Sequence, residues 1–147
     1  MSTAVAEAML AGPLNSESLA QWLITAFKCE ERAGYAGSLY RFSQKVEDGA
    51  EFLERINPHS DKSSAATRGW VTGLYQRPAI VLEMAELQAK LTHNTAGEIA
   101  SVQAAVLLTQ YLAYRCGQPT QAAKFVPDYA PWSVVPKPER ASRFEWN

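Results

Sequence analysis

The sequence runs to 147 residues, 47% hydrophobic and 20% charged, enough for one domain with a real core. Its 14 basic residues stand against 15 acidic ones, giving a formal net charge of −1 with no basic run or stripe. Charge therefore gives no support to a nucleic-acid partner. Cys29 and Cys116 lie far apart, outside any CxxC pattern, so they read as separate thiols of a reducing compartment and not as a disulfide or zinc site. Met1 to Leu10 lacks the basic start and apolar core of a signal peptide, and no stretch approaches the roughly 20 apolar residues that span a bilayer. The expected setting is the cytoplasm, with no membrane partner.

Ala4, Val5, Ala8, Met9 and Leu10 recur at helical spacing until Gly12-Pro13 breaks the pattern. Asn15 or Ser16 then caps a second helix, with Leu19, Trp22, Leu23, Ala26 and Phe27 on one face. Gly34-Tyr35-Ala36-Gly37 interrupts the helical signal. Leu39, Phe42 and Val46 predict a further helix up to Gly49, followed by a short apolar turn from Phe52 to Ile56. A polar loop from Pro58 leads into a helix over Ala65 to Tyr75.

Pro78 suits the first turn of the next helix, whose stripe is Ile80, Val81, Met84, Leu87 and Leu91, ending near Thr92. Asn94 or Thr95 caps the one after, from about Ala96 to Arg115. It is apolar on most sides and so expected to be a buried central helix. Gly117 and Pro119 close it, and a short helix from Thr120 to Phe125 follows. No run alternates as a half-buried strand would. The predicted class is all-α, six or seven helices in an orthogonal bundle spanning residues 1–130, with an irregular tail over residues 131–147.

The polar loop, Pro58-His59-Ser60-Asp61-Lys62-Ser63-Ser64, is where chemistry concentrates. Its hydroxyls and acid can cap the helix that follows, and the free N–H groups of a helix start can also hold a phosphate or carboxylate. On the residues alone the ordinary cap is the favoured reading. His93, in Leu91-Thr92-His93-Asn94-Thr95, is more simply a hydrogen-bonding group between helices than a catalyst. Neither histidine stands at a zinc or calcium spacing, and no nucleophile-elbow motif accompanies Ser60, Ser63 or Ser64.

Three strings go further. Arg32-Ala33-Gly34-Tyr35, Ser60-Asp61-Lys62-Ser63-Ser64-Ala65-Ala66-Thr67-Arg68, and Leu91-Thr92-His93-Asn94 with Gln103-Ala104-Ala105 occur in that order. In these the chain resembles the ADP-ribosylglycohydrolase family, an all-α fold that removes ADP-ribose from proteins or small molecules; the likeness covers Met1 to Trp132. The resemblance implies a ligand site in which Ser60, Asp61, Lys62, Ser63 and Ser64 wrap the diphosphate and ribose of ADP-ribose. It sets His93 close to the nucleotide and has Arg68 hold the loop in shape. Ser64 and Thr67 stand where the family usually has Gly and Met.

The same resemblance carries an absence. Family catalysis uses two magnesium ions held by an early Thr-Asp-Asp-Thr and a late Asp motif, whereas this sequence has no Asp-Asp or Asp-x-Asp at all. The expectation is an internal fragment of such an enzyme, with no catalytic residue and no metal held by this chain alone. The different-class alternative is a non-catalytic ADP-ribose-binding or helical protein-interaction module. Apolar surface left by missing helices would favour self-association.

Overall fold

The computed structural model describes residues 1–31, 34–60, 64–114 and 118–129. Among them the secondary structure is helical, with no strand: α1 (Ser2–Ala11), α2 (Ser16–Cys29), α3 (Gly37–Ser43), α4 (Gly49–Arg55), α5 (Ser64–Gly69), a 3-10 segment (Trp70–Leu74), α6 (Pro78–Lys90), α7 (Ala96–Tyr114) and α8 (Pro119–Tyr129). The chain is all-α, as the period of its apolar residues predicts. No described helix is long and apolar enough to cross a membrane. Arg32, Ala33, Asp61, Lys62, Ser63, Cys116 and the tail over residues 131–147 lie outside the described residues.

The first half packs on apolar side chains. Asn15 caps α2 by accepting a 2.8 Å bond from the Ser18 N–H, and the Ser18 hydroxyl answers to the cap's own N–H. That sets the register in which Leu19, Leu23, Ile24 and Phe27 are buried. Leu19, Leu23 and Ile24 join Val5 and Ala8 of α1 and Phe52 of α4 in one cluster, while Phe27 packs edge-on against Tyr35 and Tyr40. Leu10, placed on the α1 stripe by its spacing, lies in the last turn and is 87% exposed.

Two local expectations are corrected here. The helix of Leu39 and Phe42 ends at Ser43, not Gly49, although Val46 is still buried. Phe52 to Ile56 is not a turn, because Gly49–Arg55 is a helix capped by the Asp48 carboxylate on the Glu51 N–H at 2.9 Å. Its seven residues are too few to show a stripe. What seats it is a close backbone approach: a Cβ on Gly49 would lie 2.5 Å from the Gln21 nitrogen.

The second half is built around α7, which packs on α5, the 3-10 segment, α6 and α8. Thr95 Oγ1 accepts from the Glu98 N–H at its start, and Pro78 opens α6, both as the sequence predicts. α7 is central but not buried all round. Val106 and Leu107 are enclosed, while Leu108 and Leu112 are 41% and 49% exposed, since successive residues on a helix turn to different faces. The single helix expected over Ala65 to Tyr75 is α5 followed by the 3-10 segment. Thr72 Oγ1 takes over the Gly69 carbonyl at 2.9 Å where the helical type changes. The last helix extends from Pro119 to Tyr129, past the expected Phe125. With α4 recognised, the described helices exceed the six or seven expected.

Candidate functional site

Two long-range ties bring the polar loop to the α6–α7 connection. His59 and His93 form an isolated antiparallel bridge, and the Asn94 N–H donates to the Pro58 carbonyl at 2.5 Å. Ser60 is thereby held beside His93, and Ser64, the first residue of α5, meets the imidazole directly. The Ser64 Oγ lies 2.8 Å from His93 Nε2.

Behind this contact runs a buried polar chain. Arg68 is 3% exposed, Gln88 is fully enclosed, and Thr92 and His93 are 4% and 3% exposed. Arg68 Nε donates to Gln88 Oε1 at 3.0 Å; its Nη2 donates to the Gln88 carbonyl at 2.7 Å and to Thr92 Oγ1 at 2.6 Å. Gln88 Nε2 donates on to the Ala65 carbonyl at 3.2 Å. A buried donor or acceptor left unpaired costs about 1–3 kcal/mol, so these partners define one another's positions. Gly69 belongs to the same arrangement, because a Cβ there would sit 2.2 Å from Gln88 Nε2. Burial pulls the Arg68 guanidinium down to about 10, which leaves it a cation at neutral pH.

The imidazole is held at both nitrogens. Thr92 Oγ1 accepts from Arg68 Nη2 and lies 2.5 Å from His93 Nδ1, while Ser64 Oγ lies 2.8 Å from Nε2. A hydroxyl oxygen accepts two bonds and donates one, so either tautomer satisfies these contacts. Nδ1 is oriented by a threonine, where a catalytic triad has a carboxylate.

The chain opens on two adjoining cavities. The first, about 250 Å3, has apolar walls from Leu39, Phe42 and Ile56 and polar groups from Asn57, Ser60, Ser64 and His93. The second, about 380 Å3, is lined by Ser2, Tyr35, Thr67 and Arg68 among others. Ala36, Leu39 and Ser64 line both. Gly34, with φ of +116°, takes a backbone conformation that disfavours side chains and leads the chain from α2 into this wall.

Of the residues predicted to bind ligand, Ser60, Ser64 and His93 meet in the first cavity, and Ser64 and Arg68 in the second; Asp61, Lys62 and Ser63 are outside the described residues. The helix-start argument loses force, because α5 has only six residues. Sequence reading missed Gln88 and Thr92 as parts of the site. Gln88 did carry a signal: it is a neutral polar residue within the otherwise apolar stripe of α6.

Magnesium does not fit the described walls. They supply hydroxyls, an amide, an imidazole and two guanidinium groups but no carboxylate. Among the described residues no group of three His, Cys, Asp or Glu side chains gathers to hold a metal. No protein-family model matches the chain, and no curated protein or solved structure matches it.

Proposed function

We propose that this chain is an ADP-ribosylglycohydrolase-family protein that binds ADP-ribose, or an ADP-ribosylated group, without hydrolysing it. The observation that carries the reading is the convergence of Ser60, Ser64 and His93 on one cavity, with Arg68 tied to His93 through Thr92. These residues come from two of the three strings that resemble the family, and they supply hydrogen-bond donors of the kind that diphosphate and ribose oxygens accept. Ser64 offers a hydroxyl, the apolar wall of Leu39, Phe42 and Ile56 suits a ring, and Arg68, Gln88 and Thr92 hold the imidazole from behind. Hydrolysis would need an activated water, and the described walls hold no carboxylate to bind the metal or to act as base.

Calorimetry with ADP-ribose, with and without magnesium, tests the binding; chromatography of an ADP-ribosylated substrate after incubation tests the missing activity. Saturable heat that magnesium does not change, with no ADP-ribose released, is the expected result. A second reading, a helical interaction module that self-associates, is favoured by the exposure of Leu108 and Leu112 on α7. Sedimentation at increasing concentration separates it, since a monomer throughout would remove that reading.

A further inference from the structure

A guanidinium carries five N–H donors. In Arg68 three are spent: Nε on Gln88 Oε1, and both donors of Nη2 on the Gln88 carbonyl and Thr92 Oγ1. Nη1 has no partner among the described residues. Among the described residues it is also not one of the fully enclosed polar atoms that lack a hydrogen bond, such as Ser43 Oγ and Gln110 Oε1. Arg68 lines the second cavity, and Nη1 is the part of its guanidinium not spent on Gln88 and Thr92.

No carboxylate pairs with Arg68 among the described residues, although it is among the least exposed side chains of the protein. Water in the cavity can accept from Nη1, but it cannot compensate the charge. A buried cation without a counter-ion is costly, and an anion in contact removes that cost. Beyond Nη1 the cavity wall presents the Ser64 hydroxyl, while the Ser2 and Thr67 hydroxyls donate to the Thr67 and Ser64 carbonyls at 3.0 and 2.9 Å.

We infer that the second cavity is a binding site for a small oxyanion, a phosphate or a carboxylate, seated on the free Nη1 edge of Arg68. With Nε and Nη2 already spent on the protein, the guanidinium cannot grip the anion through its two-nitrogen fork. Nη1 holds it end-on, beside the Ser64 hydroxyl of the cavity wall. Burial of the cation strengthens the attraction, because the charges meet in a medium less polarisable than water. The site shares Ala36, Leu39 and Ser64 with the first cavity but asks only for an oxyanion on Arg68, which the first cavity does not include.

The test is thermal melting of the full chain in sodium phosphate, in sodium acetate and in sodium chloride of equal ionic strength. Bound anion stabilises the folded state by mass action, so one or both oxyanions raise Tm by a few degrees in a saturable way while chloride does not. The phosphate and acetate arms distinguish the two chemistries. Replacing Arg68 would break the hydrogen bonds to Gln88 and Thr92, so the informative variant is Thr67→Glu, which puts a carboxylate into the cavity wall. Its Tm without added anion exceeds that of Thr67→Gln, and the oxyanion response is lost.

No response in the wild-type chain, or an undiminished response in Thr67→Glu, overturns the proposal. Its failure is separable from that of the nucleotide reading. Loss of ADP-ribose binding would leave a Thr67→Glu-sensitive phosphate response intact. ADP-ribose binding with no phosphate or acetate response would leave only the first cavity as a site.

Discussion

The two halves of this molecule are buried by different means. From α1 to α4 the enclosed side chains include Val5, Leu19, Leu23, Ile24, Phe27, Val46 and Phe52, and among the described residues Ser43 is the only enclosed polar one. From α5 onward one apolar cluster is made of small residues, Ala65, Val81, Ala85, Ala89, Val102 and Val106, beside larger enclosed side chains such as Leu91, Leu107 and Tyr111. Among them the chain buries Arg68, Thr72, Gln88, Thr92, His93, Glu98, Gln103 and Gln110. Small side chains leave room between α5, α6 and α7, and polar groups fill it, of which Arg68, Gln88, Thr92 and His93 bond one another. The first half is a scaffold whose contacts any apolar residue of suitable size can make. The second spends burial on groups that recognise particular partners, and both cavities open on it.

That difference can be broken by substitution. The largest effect is expected in the apolar half: Phe52→Ala, which empties a site 1% exposed and removes an edge-on contact 5.4 Å from Phe42, should cost about 3–5 kcal/mol. Urea unfolding measures it, and ligand binding by the molecules that remain folded should be unchanged.

Thr92→Val is nearly isosteric but takes away the oxygen shared by Arg68 and His93. About 1–3 kcal/mol is expected from the orphaned donors. Unlike Phe52→Ala it should also weaken ADP-ribose binding, because the imidazole loses the bond that holds its Nδ1 edge. If Thr92→Val binds normally, the network is structural only and the contrast between the halves disappears. The smallest effect is at a terminus: Asn15→Ala removes the α2 cap at about 1 kcal/mol and leaves binding alone.

What the sequence made legible follows the same division. α1, α2, α6 and α7 have stripes or caps that a single pass along the chain detects, since period and cap are local properties. α4 was not legible as a helix, although Asp48 three residues before Glu51 was a start signal, because its apolar residues are too few to repeat. Of the site, Ser60, Ser64, Arg68 and His93 were identified through strings of residues. Their joint geometry was not, since Arg68 pairs with Gln88 20 positions away and Ser64 with His93 29 positions away. No periodicity encodes a hydrogen bond across such separations. The exposure of Leu108 and Leu112 was equally hidden, because three consecutive apolar residues look alike in sequence and differ only once the helix has turned.

The central claim is that the donors converging at Ser60, Ser64 and His93 bind ADP-ribose without a metal. Titrating the full chain with ADP-ribose in a calorimeter, first in chelator and then in excess magnesium, addresses it most directly. The account predicts one saturable site of the same affinity in both conditions. Absence of binding, or binding that appears only with magnesium, would contradict it.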